Sequence, residues 1–167
     1  MRKRTLLSLV SVVPMLAACG FRLRGVPEFA FRSLFVQAPR GSMLARELER
    51  TLASSTDALK VLRDPSSPDS AEVIFVLLSE NRERVVVGLN ASGQVRELQL
   101  RLRVHFLLRK PNGDEIIPDT ELLQQRDISY NETIALSKEA EEQMLYRNMQ
   151  TDVVQQLLRR LAAVKTL

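Results

Sequence analysis

Cysteine is nearly absent: the 167 residues contain one, Cys19. A single thiol excludes an internal disulfide, so a core must hold the fold, which suits an oxidising compartment without requiring one. Histidine is as scarce. His105 has no second histidine and no other cysteine to join it in a metal or nucleophilic cluster. No GxSxG, no phosphate-cradling glycine loop and no acidic run with calcium spacing occurs, nor any internal repeat or low-complexity segment. Without a nucleophile and base pair the chain is not expected to be an enzyme, and no cofactor or metal is expected. His105 reads as a surface strand residue rather than a catalytic base.

The position of the one cysteine is informative. Arg2, Lys3 and Arg4 precede an apolar run from Leu6 to Leu16, broken by serines and Pro14 and followed by Ala17 and Ala18. That is the outline of a secretory signal peptide, too short and interrupted to span a bilayer permanently. Leu16-Ala17-Ala18-Cys19 resembles the bacterial lipobox, in which the thiol is alkylated with diacylglycerol before cleavage. Cys19 is thus the expected lipid attachment and first mature residue; the alternative is a lone buried cysteine acting as a small hydrophobe. At about 0.8 kcal/mol per buried methylene, two or three acyl chains hold a protein on a membrane durably. Gly20, where many inner-membrane lipoproteins carry aspartate, points to the outer membrane.

The charge balance changes once the signal is set aside. Removing Arg2, Lys3 and Arg4 from the 24 basic residues leaves 21 against 20 acidic ones, a net charge of +1. The high isoelectric point is then no argument for nucleic acid, which is not an expected partner. Residues 1–18 read as the removed signal, 19–30 as a lipidated tether with glycines and a proline, and 31–167 as a single domain large enough to bury a core.

Within that domain, residues 31–39 (FRSLFVQAP) predict a short strand ending at proline. Ser42 is placed to cap a helix with Leu44, Leu48 and Leu52 on one stripe. Residues 63–70 (RDPSSPDS) read as an exposed loop. AEVIFVLLS is apolar on both faces, as in a central strand, and RERVVVGL continues or follows it. After a hairpin turn at Asn90-Ala-Ser-Gly93, Leu98, Leu100, Leu102, Val104, Phe106 and Leu108 alternate with Gln99, Arg101, Arg103, His105 and Arg109, a long strand with a core face and a basic face. Pro111–Asp114 turns into a weaker strand, IIPDTELLQQRDISY. From about Ala135 the helical period returns, with Leu145, Met149, Val153, Leu157 and Leu161 on one stripe. The expected fold is α+β: two helices on one face of a four-stranded, mainly antiparallel sheet in the order β-α-β-β-β-α, the other face staying polar.

Arg101 and Arg103, with His105 and Arg109 beside them, Arg96 near the turn and Arg82 and Arg84 on the preceding strand, make the sharpest surface feature. Arginine's planar fork suits phosphate, although a solvated sheet face explains the same pattern. Aromatics for base stacking are missing there, so a phosphorylated glycolipid is the fitting anion. A free-standing periplasmic lipid-binding or chaperone lipoprotein is one function this face serves.

Cys19-Gly-Phe-Arg-Leu-Arg-Gly25 resembles the mature start of the LPS-assembly lipoprotein LptE family. Asn90-Ala-Ser-Gly-Gln94 before the alternating strand resembles that family's central hairpin, and Ala135-Leu-Ser-Lys138 before a long helix its last element. The resemblance implies a plug inside the large outer-membrane barrel LptD, helping it assemble and insert lipopolysaccharide into the outer leaflet. It also implies lipopolysaccharide contacts near the hairpin and at the start of the last helix. Lys138 matches the second position and Arg96 is the nearest basic residue to the first, with Arg101 and Arg103 further candidates from the strand face. Asn90, Ser92 and Gly93 are the candidates for partner contact. A plug in a polar lumen should carry a charged surface over its own core, as the net charge and polar sheet face allow.

Overall fold

A computed structural model describes residues 28–63, 66–130 and 135–167, with side chains described from 138 in the last segment. Cys19, the signal and most of the tether therefore lie outside the described residues. The elements are β1 (Ser33–Gln37), α1 (Met43–Ser55), β2 (Lys60–Leu62), a 3-10 turn (Pro68–Ser70), β3 (Val73–Leu89), β4 (Val95–Arg109), β5 (Glu115–Ser129) and α2 (Ala135–Ala163).

The sheet has five strands, not four, in the order β2-β1-β3-β4-β5. The additional strand is Lys60-Val61-Leu62, three residues that lie parallel to β1. So short a segment has no readable period. β1 also runs parallel to β3, pairing Leu34–Gln37 with Val73–Val76, so the sheet is mixed. A parallel neighbour needs a crossover, and α1 supplies it between β1 and β2. The α+β class and the two helices stand as expected.

Ser42 caps α1 as its sequence position predicts: its Oγ accepts the Ala45 amide at 3.0 Å. Leu44, Leu48 and Leu52 of α1 and Met149, Val153, Leu157 and Leu161 of α2 are buried in one core with the inward face of β4, where Leu98 to Leu108 are buried at every second position. Phe75 and Phe106 stack in this core with ring centroids 5.6 Å apart. Glu47 of α1 joins the helices, accepting Gln150 Nε2 at 2.6 Å and Thr151 Oγ1 at 2.8 Å.

One extra residue reorganises β3. The pairing steps from Leu77↔Phe106 to Ser79↔His105, leaving Leu78 unpaired in a bulge. Before it, Val73, Phe75 and Leu77 face the helices. After it, Glu80, Arg82 and Arg84 do, opposite Val104, Leu102 and Leu100. Arg82 and Arg84 therefore stand on the helix side and do not share a face with Arg101 and Arg103. The far side of the sheet also departs from a wholly polar face: Phe35, Ala71 and Ile74 form a small buried cluster there, flanked by Leu62 and Val76.

Candidate functional site

The candidate residues distribute over two surfaces. At the end of the molecule formed by the β3–β4 hairpin, Asn90 organises the turn: its Oδ1 accepts from the amides of Ser92 at 3.0 Å and Gln94 at 2.9 Å, and from Ser92 Oγ at 2.8 Å. The Gly93 amide donates to the Asn90 carbonyl, and its φ of +81° is the left-handed backbone that favours glycine. Asn90, Ser92 and Gly93 thus set the shape of an exposed tip. Arg96 follows the tip and is exposed, and its carbonyl accepts the Tyr130 amide at 2.8 Å. Lys138, in the first turn of described side chains of α2, reaches Ser129 Oγ at 3.3 Å and Glu141 Oε2 at 2.8 Å, with 14% of its side chain exposed. The ends of β4 and β5 and the start of α2 therefore bring Arg96 and Lys138 to one pole.

Arg101 and Arg103 lie elsewhere, midway along the open face, and acidic or amide partners meet them. Arg101 Nε donates to Gln99 Oε1 at 2.8 Å. Arg103 forks between Glu121 at 2.6 Å and Glu83 at 3.2 Å, and these hydrogen bonds, Glu121 foremost, raise its pKa above the ordinary arginine value. His105 lies between Asp119 at 3.1 Å and Glu121 at 3.3 Å. The face read as basic is a mixed-charge ladder around Arg103 and His105, because Glu83 of β3 and Asp119 and Glu121 of β5 stand beside them. Nothing in β4 alone reveals those partners; the acidic residues of β5 alternate with less regularity and their register is set by the turn.

Beneath the hairpin a polar cleft of about 470 Å³ opens between β3 and α2, lined by Arg82, Arg84, Tyr130, Glu142 and Tyr146 among others. Arg82 lies over the Tyr146 ring, 5.2 Å from its centroid, and donates to Gln150 Oε1 at 3.3 Å. Arg84 pairs at 3.0 Å with Glu142, whose side chain is only 8% exposed. Tyr146 donates its hydroxyl to the Glu83 carbonyl at 2.7 Å, and burial, helped by the Glu142 charge, raises its pKa. These residues were not singled out from the sequence as helix-facing. A run that is apolar at every position from Val73 to Leu78 carries no period in which the extra residue would show, so only the pairing register reveals them.

Such an arrangement offers cations and amides for recognition. Among the described residues, no group of three or more histidine, cysteine, aspartate or glutamate side chains could hold a metal ion, and no helix is long and apolar enough to cross a membrane.

Comparison with known proteins agrees with this geometry. The chain is 32% identical over 98% of its length to an LPS-assembly lipoprotein LptE from Yersinia enterocolitica, covering 78% of that relative. It is 29% identical to the LptE of Yersinia pestis strain Pestoides F, with the same coverages. A solution structure of a lipoprotein B from Nitrosomonas europaea superposes with a TM-score of 0.72 at 34% identity, covering 86% of this chain and 91% of that one. A rare lipoprotein B from Shewanella oneidensis shares the fold, with a TM-score of 0.63 at 20% identity over 78% of this chain and 94% of that one. A family model described as LptE, lipopolysaccharide-assembly, matches residues 31–161, and the chain belongs to that family.

Proposed function

We propose that this protein is an outer-membrane lipoprotein, anchored through Cys19, that seats as a plug in the lumen of the LptD barrel and helps assemble that translocon, which inserts lipopolysaccharide into the outer leaflet. Family membership over residues 31–161 carries the reading. A self-contained core under a mixed-charge surface supports it, because a protein inside a polar lumen needs water-compatible walls and no further apolar cover. Arg96 and Lys138, gathered at the hairpin pole, are the residues assigned to lipopolysaccharide phosphate, and the Asn90–Gly93 tip to the barrel. Arg101 and Arg103, midway along the open face and hydrogen-bonded to Gln99 and to Glu83 and Glu121 respectively, are assigned to lumen-wall contacts. The protein acts by binding and not as an enzyme.

A pull-down of the tagged full chain from detergent-solubilised outer membranes tests the reading. A single large barrel at equal stoichiometry is expected. The chain alone with bound lipid would instead establish a free-standing carrier and end the plug proposal.

A further inference from the structure

β3 is much longer than its neighbour on one side. β1 covers only Val73–Val76, so from Leu77 to Leu89 no described strand lies on that edge. An uncovered edge presents main-chain donors and acceptors ready to pair with another chain, and proteins blunt such edges with proline, charge or very short strands. The opposite edge, β5, is blunted in this way by Pro118, Asp119, Glu121 and Asp127. The β3 edge carries charge from Glu80 to Arg84 and a register irregularity at Val86–Gly88, but it ends in Val85-Val86-Val87-Gly88-Leu89, with no charge and no proline.

Exposed apolar side chains collect along this lane. Among the described residues, eight large hydrophobic side chains are exposed, and four of them, Leu78, Val86, Val87 and Leu89, belong to it. A fifth, Met43, follows Ser42, whose hydroxyl donates to Glu80 of the lane at 2.8 Å. The charges within the lane have internal partners: Arg82 with Gln150, Glu83 with Arg103 and Arg84 with Glu142. What remains for an outside partner is backbone and valine.

We infer that the Ser79–Leu89 edge of β3 accepts an extended segment of a different polypeptide as an added strand, neutral and β-branched opposite Val85–Val87 and polar opposite Asn81–Arg84. The charge pattern argues against a second copy. Antiparallel pairing about a dyad keeps both helix layers on one side, so each residue must oppose one from its own face. Centring the dyad on Glu83 sets Arg82 against Arg84, centring it on Arg84 sets that residue against itself, and centring it on Val85 or Val86 lays Arg84 and Glu83 on valine, glycine or leucine. Like charges directly opposite are destabilising, and a charge on valine gains nothing. A non-identical strand avoids all of these.

The inference does not depend on which protein supplies the strand. The test places the photo-cross-linker p-benzoylphenylalanine at Asn81, Val85 or Val87 of the full chain in living cells, with Gln125 on β5 as control, and maps each adduct by mass spectrometry. One heterologous polypeptide is expected, cross-linked at residues that advance along its sequence in step with the β3 positions, a stepwise pattern that Gln125 does not share. Val86→Lys should reduce the Val87 adduct severalfold while Val86→Thr preserves it, both with unchanged thermal melts. Adducts of two copies of this chain, adducts scattered over a partner, or none at all would overturn the inference. If the polypeptide is the LptD barrel, the plug proposal gains a contact; if it is another envelope protein, the strand lane stands and the plug proposal fails.

Discussion

The two halves of the sheet, on either side of Leu78, are built by different means. In the half that includes β1, both faces are apolar: Val73, Phe75 and Leu77 meet the helices, and Ile74 meets Phe35 and Ala71 behind. In the hairpin half, β4 keeps its apolar inward row but β3 answers it with Glu80, Arg82 and Arg84, and the outward face is a ladder of charge pairs. Burial therefore fixes the first half, and directional polar contacts shape the second. Surfaces meant for recognition belong in the second, where side chains can exchange partners without opening a cavity.

Mutations should separate the halves by size of effect. Phe106→Ala removes a stacked ring from the core and should cost about 3–5 kcal/mol, read as a lowered urea midpoint at unchanged slope. Arg84→Ala leaves the buried Glu142 carboxylate without its partner. The expected loss is about 1–2 kcal/mol, moderated because the Arg84 side chain is 54% exposed and water can reach the pair. Pairing it with Glu142→Gln should restore part of that loss in a double-mutant cycle.

Tyr146→Phe deletes the hydroxyl donated to Glu83, for about 1 kcal/mol at neutral pH. Its pH signature is more telling. The folded-state pKa is raised, so Tyr146 contributes stability in full below the ordinary tyrosine value of about 10 and loses it as pH rises through the folded value. The wild-type melting temperature should fall over that alkaline range, and the phenylalanine variant should fall less steeply. Arg103→Ala should have the smallest effect, a shift in midpoint near the scatter of the measurement that vanishes in high salt, because its ladder faces solvent. A large loss at Arg103 with a small one at Phe106 would invert the comparison.

Much of the first half and of β4 was legible beforehand. The alternation from Leu98 to Leu108, the Ser42 cap and the stripe of α2 each follow from a local period, and each was found where that period placed it. The features that were not legible depend on what lies beside a segment. β2 is three residues whose strand character comes from docking on β1. The faces of Arg82 and Arg84 depend on one unpaired leucine, since shifting the count by one in a period of two exchanges the faces. Arg103 and His105 of the basic β4 face meet carboxylates from two other strands. Of the candidate site, family resemblance pointed to Arg96 and Lys138 separately, and their gathering at one pole was not legible, for no sequence period links a strand start to a helix start.

The parallel placement of β1 also sets an order of events in folding. The meander from β3 to β5 closes through two short turns and can zip locally, whereas β1 must find Val73–Val76 across the whole α1–β2 excursion. The first strand in chain order is thus expected to be among the last to acquire its neighbours, and until it docks, the Val73–Val76 edge would stand as open as the lane beyond it. An assembly factor or a partner strand that engages β3 early would meet one uninterrupted edge; one that arrives late finds only the part that β1 leaves uncovered.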